Sequence, residues 1–223
     1  MTSLAERLAI VQAQVADATR EAGRAPGTVT TIVVTKFHPA ALVTELAGLG
    51  VRDVGENRHQ EASSKAIEVD DDRLTWHFVG QLQGNKAAAA LEYARVVHSV
   101  DRTSLVTALA KTGRAVDVFL QLNLTDDPGR GGVHPDDLAA LAETTLAAGP
   151  LRLRGLMAVA PLGEQPRAAF ARVRAASEVL QRLAPDATDL SMGMSGDFRE
   201  AIAEGATHLR IGTAITGNRP DRG

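Results

Sequence analysis

Lysine is scarce in this chain and occurs only at positions 36, 65, 86 and 111, so few amines could attack a carbonyl. Lys36 stands apart from the other three. It directly follows the apolar run Val33-Val34-Thr35 and precedes Phe37-His38-Pro39. An ammonium at the end of a buried strand is partly desolvated, which lowers its pKa and frees the amine as a nucleophile. A lysine that snorkels from a strand exit into solvent fits the same position. Two small-residue turns lie far downstream: Ser191-Met192-Gly193-Met194-Ser195-Gly196-Asp197 and Leu209-Arg210-Ile211-Gly212-Thr213-Ala214. Ser195 reads as the N-cap of a helix whose apolar face includes Phe198, Ala201 and Ile202. Helix N-termini present N–H donors and positive dipole to an anion. Ser and Gly at helix starts also serve as plain caps. Arg210 interrupts an apolar run. Pointing inward it must find a partner, and pointing outward it would bridge to a helix carboxylate. An amine, an anion cradle and a guanidinium between them describe a site for a phosphorylated aldehyde, and pyridoxal 5′-phosphate is the candidate.

Two further segments carry polar groups at strand ends. Gly55-Glu56-Asn57 is followed by Gln60-Glu61, and Asn57 suits either the site or a helix N-cap. Trp76-His77-Phe78-Val79-Gly80 is followed by Gln81-Leu82-Gln83-Gly84-Asn85-Lys86. His77 sits inside an apolar strand, where a buried, hydrogen-bonded histidine is the commoner case than a catalytic one.

Short apolar runs alternate with Ala/Leu-rich helical runs along the chain. Strands are expected at 30–35, 53–55, 75–80, 96–100, 116–123, 153–159, 189–192 and 208–212. Helices are expected to start near Ala40, Asn57, Asn85, Arg102, Pro135, Glu164 and Ser195. Ser3 and Glu6 form a capping box for an earlier helix, with Leu4, Leu8, Val11, Val15 and Ala18 on one face and Gly23 near its end. Stretches 70–72 and 126–132 read as loops, the latter held by Asp-Pro-Gly turn chemistry. Eight β/α alternations without a linker predict an α/β fold. The expectation is a single-domain (β/α)8 TIM barrel over residues 1–223 with an additional N-terminal helix; a doubly wound open sheet is the alternative. In such a barrel the loops after strands seven and eight commonly bind phosphate, and both small-residue turns fall there.

The chain has 223 residues, 24 Lys+Arg, 27 Asp+Glu, six His and no Cys. A net charge of −3 gives no drive toward nucleic acid or anionic lipid. Aromatic content of 3% is too low for a base-stacking platform. The lack of Cys removes disulfides, thiolate metal sites and a Cys nucleophile together, and no metal site is expected. No signal peptide, membrane-length apolar run or lipidation box is visible, so a cytoplasmic protein is expected.

The motifs quoted above, with Gly155-Leu156-Met157 and Ile211-Gly212-Thr213-Ala214-Ile215, resemble the pyridoxal phosphate homeostasis proteins (the YggS/PROSC family) from the first strand almost to the C-terminus. The resemblance implies a barrel like the N-terminal domain of alanine racemase. It implies pyridoxal 5′-phosphate held as a Schiff base on Lys36. Ser195, Gly212 and Thr213 would hold the phosphate, with the Met194 backbone nearby. Arg210 would face the pyridine nitrogen and Asn57 would lie by the ring. It also implies a monomer that buffers and delivers the cofactor, with cofactor-dependent enzymes as recipients and no assigned reaction. Gly84, where Ser or Thr is commoner, and Thr216, where an aromatic is commoner, depart from the pattern at the rim. The alternative is an amino-acid racemase on the same barrel. A two-base racemase needs a second acid/base group, a Tyr from a second domain in alanine racemases. No such domain is expected in these 223 residues, and their only Tyr is Tyr93, expected away from the strand-end ring.

Overall fold

The computed structural model describes residues 2–125 and 127–218. Eight strands form a closed barrel, every neighbouring pair parallel: β1 (Thr30–Val34), β2 (Asp53–Glu56), β3 (Thr75–Phe78), β4 (Ala94–Val100), β5 (Val116–Gln121), β6 (Leu151–Met157), β7 (Asp189–Ser191) and β8 (His208–Ile211). Closure comes from β8 pairing with β1, with Ile32 opposite Arg210 and Val33 opposite Ile211. This is the (β/α)8 arrangement, and the open-sheet alternative is excluded.

Helix α1 (Leu4–Glu21) precedes the barrel. Its capping box is present, with Ser3 Oγ accepting from Glu6 N and Glu6 Oε2 accepting from Ser3 N at 2.7 Å. Leu4, Leu8, Val11, Val15 and Ala18 are buried on one face, because i, i+4 spacing keeps them in one stripe. The outer helices follow as α2 (Ala40–Gly48), α3 (His59–Val69), α4 (Ala87–Ala90), α5 (Thr103–Ala110), α6 (Leu138–Leu146), α7 (Pro166–Leu180), α8 (Phe198–Ala203) and α9 (Thr213–Thr216). Helix α1 packs on α8 and α9. Arg7 Nε donates to Ile215 O at 2.7 Å and Arg24 Nη1 to Ala206 O at 2.6 Å, fastening the start of the chain to the β8 side.

Several boundaries differ from expectation: β4 begins at Ala94 instead of 96, and β3 and β5 end two residues early, at Phe78 and Gln121. β6 begins at Leu151 and ends at Met157, two residues earlier than expected at each end. Arg152 and Arg154 sit within it because they pair across the outer surface with Asp117 on β5 and Asp189 on β7. The helix after β7 starts at Phe198, with Asp197 in the cap position, so Ser195 is not its N-cap. Arg58, not Asn57, precedes α3. Of the expected loop 126–132, Asp126 lies outside the described residues; Pro128–Arg130 is a 3-10 turn in which Asp127 Oδ1 accepts from Gly129 N. No helix among the described residues is long and apolar enough to cross a membrane.

Candidate cofactor site

The C-terminal ends of β1, β2, β7 and β8 enclose a cavity of about 300 Å³. Lys36, Asn57, Met194, Ser195, Arg210, Gly212 and Thr213 all line it, with Val34, Val79 and Val159 as apolar walls. Every residue that the sequence nominates therefore reaches one space. A larger cavity of about 530 Å³ lies under α1 at the foot of β1 and β2. It holds no lysine, and its Arg24 and Arg52 donate to backbone carbonyls. Chemistry in this barrel architecture belongs to the strand C-termini, so the smaller cavity, which holds Lys36, is the candidate site.

Lys36 is exposed, which corrects the expectation of a desolvated amine. The strand run ends at Val34, and the chain leaves the barrel through a turn in which Phe37 takes a left-handed φ of 70°. Among the described residues Lys36 Nζ has no ion-pair or hydrogen-bond partner, and its nearest defined contact is the Phe37 ring at 5.9 Å. The amine is available because nothing holds it.

A buried ionic cluster lies just behind it. Glu56 Oε1 accepts from Thr35 Oγ1 and from Lys65 Nζ, both at 2.7 Å. Lys65 Nζ also donates to Thr35 O and Glu61 Oε1, each at 2.7 Å. Glu61 Oε1 in turn accepts from the Phe37 N–H. The cluster thus pins the backbone on both sides of Lys36. Burial pushes the Glu56 carboxyl up, against the lowering effect of Lys65 and Thr35. Its Oε2 is buried without a partner among the described residues.

Arg210 points inward. Nη1 donates to Ser191 O at 2.6 Å and Ser191 Oγ at 2.8 Å, and Nη2 donates to Ala158 O at 2.9 Å. These bonds use only the terminal nitrogens. Burial pulls the guanidinium down to about 10, with Asp197 opposing the shift, so it stays charged at neutral pH. Its backbone is placed by Arg210 N donating to Gly193 O. Gly193 has φ +95°, and a Cβ there would lie 2.6 Å from Ala201 Cβ. Only glycine lets the turn pass this close to α8. Gly80 does the same for Asn57, since a Cβ at Gly80 would sit 2.1 Å from Asn57 O.

The two turns form a cradle without a long helix. α8 has six residues and α9 four, so the donors are the N–H groups themselves more than a summed dipole. Ser195 Oγ accepts from Ala214 N at 3.4 Å, joining the turns. The N–H groups of Ser195, Gly196, Gly212 and Thr213 meet no acceptor among the described residues. A Cβ on Gly196 would meet nothing within 4 Å, and one on Gly212 nothing closer than Val34 O at 3.5 Å. Met194 lines the cavity, but its N–H already donates to Asp197 Oδ1 at 2.6 Å. That bond turns the Asp197 carboxylate back, and burial pushes the Asp197 carboxyl up.

The chain matches the family model for the alanine racemase N-terminal domain over residues 10–220. It is 44% identical to the pyridoxal phosphate homeostasis protein of Pseudomonas aeruginosa, covering 98% of this chain and 97% of that one. It is 36% identical to the Escherichia coli protein of the same name, covering 98% of each. The chain belongs to the pyridoxal phosphate homeostasis protein family. Among solved structures, PipY of Synechococcus elongatus with PLP bound superposes with a TM-score of 0.86 at 40% identity, covering 96% of this chain and all of that one. Alanine racemase of Corynebacterium glutamicum shares the fold, with a TM-score of 0.70 at 14% identity over 92% of this chain and 60% of that one. Several groups of this family member escaped nomination from sequence: Thr35, Lys65, His98 and Ser191. Lys65 four residues after Glu61 is a visible helical pair. His98 within the apolar run of β4 had the same signature as His77. His77 is indeed buried and hydrogen-bonded.

Proposed function

We propose that this protein binds pyridoxal 5′-phosphate covalently through Lys36 and serves cytoplasmic cofactor homeostasis as a carrier, without catalysing a reaction of its own. The observation that carries this is the convergence of one unpartnered lysine, one buried guanidinium and a ring of open N–H groups on a single cavity. When bound, the group supplies an aldehyde that an amine captures reversibly and a phosphate dianion that N–H donors hold. Lys36 Nζ would hold the aldehyde carbon, the carbonyl oxygen leaving as water. Ser195, Gly212 and Thr213, joined by the Gly196 N–H, would hold the phosphate. Arg210 would stand toward the pyridine nitrogen; being a donor only, it would leave that nitrogen unprotonated and weaken the ring as an electron sink. Asn57 and Met194 would lie beside the ring. The whole chain acts as one domain and as a monomer, with pyridoxal phosphate-dependent enzymes as recipients. Borohydride treatment of the loaded protein followed by peptide mapping tests the assignment. The expected result is a pyridoxyl group on Lys36 alone; the label on Lys65, Lys86 or Lys111 overturns it.

The racemase reading requires a second acid/base group opposite Lys36. Tyr93, the only tyrosine, is packed edge-on against Trp76 and stacked on His59, and its hydroxyl lies 3.4 Å from His59 Nδ1. Burial pushes that hydroxyl further up, and Tyr93 does not line the cavity. Exchange of the alanine α-proton with deuterated solvent is expected to run no faster than with free cofactor. Enzymes in general gain roughly 10⁶-fold or more, so a gain of that size would establish catalysis.

A further inference from the structure

A continuous file of hydrogen-bonding groups crosses the barrel interior from the foot of β2 to Arg210. Asp53 Oδ1 lies 3.0 Å from His77 Nε2, and His77 Nδ1 lies 2.9 Å from His98 Nε2. His98 Nδ1 is 2.8 Å from Ser191 Oγ, which accepts from Arg210 Nη1 at 2.8 Å. His77, His98, Ser191 and Arg210 are buried. Phe119 stacks on His98 with centroids 4.5 Å apart and planes 9° apart, which holds the ring against rotation.

The chemistry of the two ends sets the direction of every bond between them. A guanidinium only donates and a carboxylate only accepts. Ser191 Oγ takes a proton contact from Arg210, so its own hydrogen goes to His98 Nδ1. His98 then carries its proton on Nε2 and donates to His77 Nδ1. His77 carries its proton on Nε2 and donates to Asp53. The reverse order with neutral rings would set the His77 Nε2 lone pair against the carboxylate. One arrangement of neutral imidazoles makes all four contacts hydrogen bonds. Burial holds His98 well below the ordinary histidine range, with His77, Arg210 and His208 pushing the same way, in keeping with a neutral ring.

We propose that Asp53, His77, His98 and Ser191 form a one-directional relay of neutral imidazoles, each protonated on Nε2, that positions Arg210 at the mouth cavity. Its influence on cofactor rests on the function proposed above. Asp53 is partly exposed and lines the 530 Å³ cavity under α1, so the outer end of the relay is open to change at the opposite end of the barrel. The other charged or titratable groups acting on His98 are His208 and Arg210 on β8, and His208 in turn feels Asp189 on β7 and Arg154 on β6. Among the described residues, Asp53 is the only carboxylate hydrogen-bonded to either ring. A proton added to His77 would turn its Nδ1 into a donor and force His98 to the other tautomer. Ser191 Oγ would then receive two donors, and its own hydrogen would lose its acceptor.

The full chain, freed of pyridoxal phosphate and labelled with ¹⁵N-histidine, gives the first test. Two-bond proton–nitrogen spectra at neutral pH are expected to show His77 and His98 as neutral Nε2–H rings. An Nδ1–H ring or an imidazolium at either position overturns the relay. The second test titrates pyridoxal phosphate into Asp53→Ala and Asp53→Asn. The alanine variant removes the acceptor; it is expected to mix the His77 tautomers and weaken binding roughly three- to tenfold. The asparagine variant keeps a carbonyl acceptor and is expected to restore both. Unchanged affinity in Asp53→Ala overturns the positioning role even where the tautomers are as stated. Failure of the wild-type protein to bind pyridoxal phosphate would instead defeat the function proposed above, leaving the tautomer result to decide the relay by itself.

Discussion

Lys36 and Lys65 lie on either side of Thr35 and could hardly be treated more differently. Lys65 is buried and spends three bonds on Thr35 O, Glu56 and Glu61. Among the described residues, Lys36 is exposed and meets only the face of the Phe37 ring, 5.9 Å from its centroid. The contrast teaches that an amine is made available by the absence of partners, and that a second amine nearby can supply the rigidity. Lys65 neutralises Glu56, Glu61 holds the Phe37 N–H, and the turn bearing Lys36 is fixed without any bond to Lys36 itself.

The sharpest break of this pair is Lys36→Ala. It is expected to abolish borohydride-fixed pyridoxal phosphate entirely while leaving the far-ultraviolet circular dichroism unchanged. Lys65 is not expected to substitute, and mass mapping of the variant would show label there if it did. Next in size, Lys65→Met leaves Glu56 charged and unpaired in the interior. Breaking a buried pair in this way costs about 3–5 kcal/mol, to be read from urea unfolding. The double variant Lys65→Met/Glu56→Gln is expected to recover much of that loss, because no lone charge remains buried.

Smaller effects separate the anchor from the cradle. A hydrogen bond to a charged group is worth about 1.5–3 kcal/mol, so Ser195→Ala or Thr213→Val should weaken pyridoxal phosphate roughly ten- to a hundredfold. Pyridoxal without phosphate should bind weakly and be indifferent to both changes. Equal losses for the two aldehydes in a titration would mean that these residues shape the loops and do not read the phosphate. The smallest effect concerns pH. His98 is held well below its ordinary value of 6.5 by burial. Above that value both the folded and the unfolded states carry it neutral. As pH falls below 6.5 the unfolded chain takes up a proton that the folded chain refuses, so stability is lost on the acid side. His98→Gln is expected to flatten this acid-side slope in urea melts taken at successive pH values.

Much of this architecture was legible in the sequence, because a parallel barrel writes its strands as short apolar runs separated by helical ones. All seven nominated residues line one cavity for a related reason: strand ends in this fold face the same mouth. What could not be read depends on contacts between distant segments. Ser195 and Asp197 are both good caps two residues apart. The choice of Asp197 follows from Gly193 turning against Ala201 and from the bond between Met194 N and Asp197. The early start of β6 rests on Arg152 and Arg154 finding carboxylates on neighbouring strands. The exposure of Lys36 depends on a left-handed Phe37, a conformation rare for a bulky residue and not one that a local pattern announces.

The barrel closes by joining β1 to β8, and α1 rests on α8 and α9. During synthesis, therefore, the segment carrying Lys36 leaves the ribosome long before the turns that complete its pocket. A nascent chain has the amine without the grip. On the function proposed above, the phosphate grip that makes loading tight would exist only once the ring shuts.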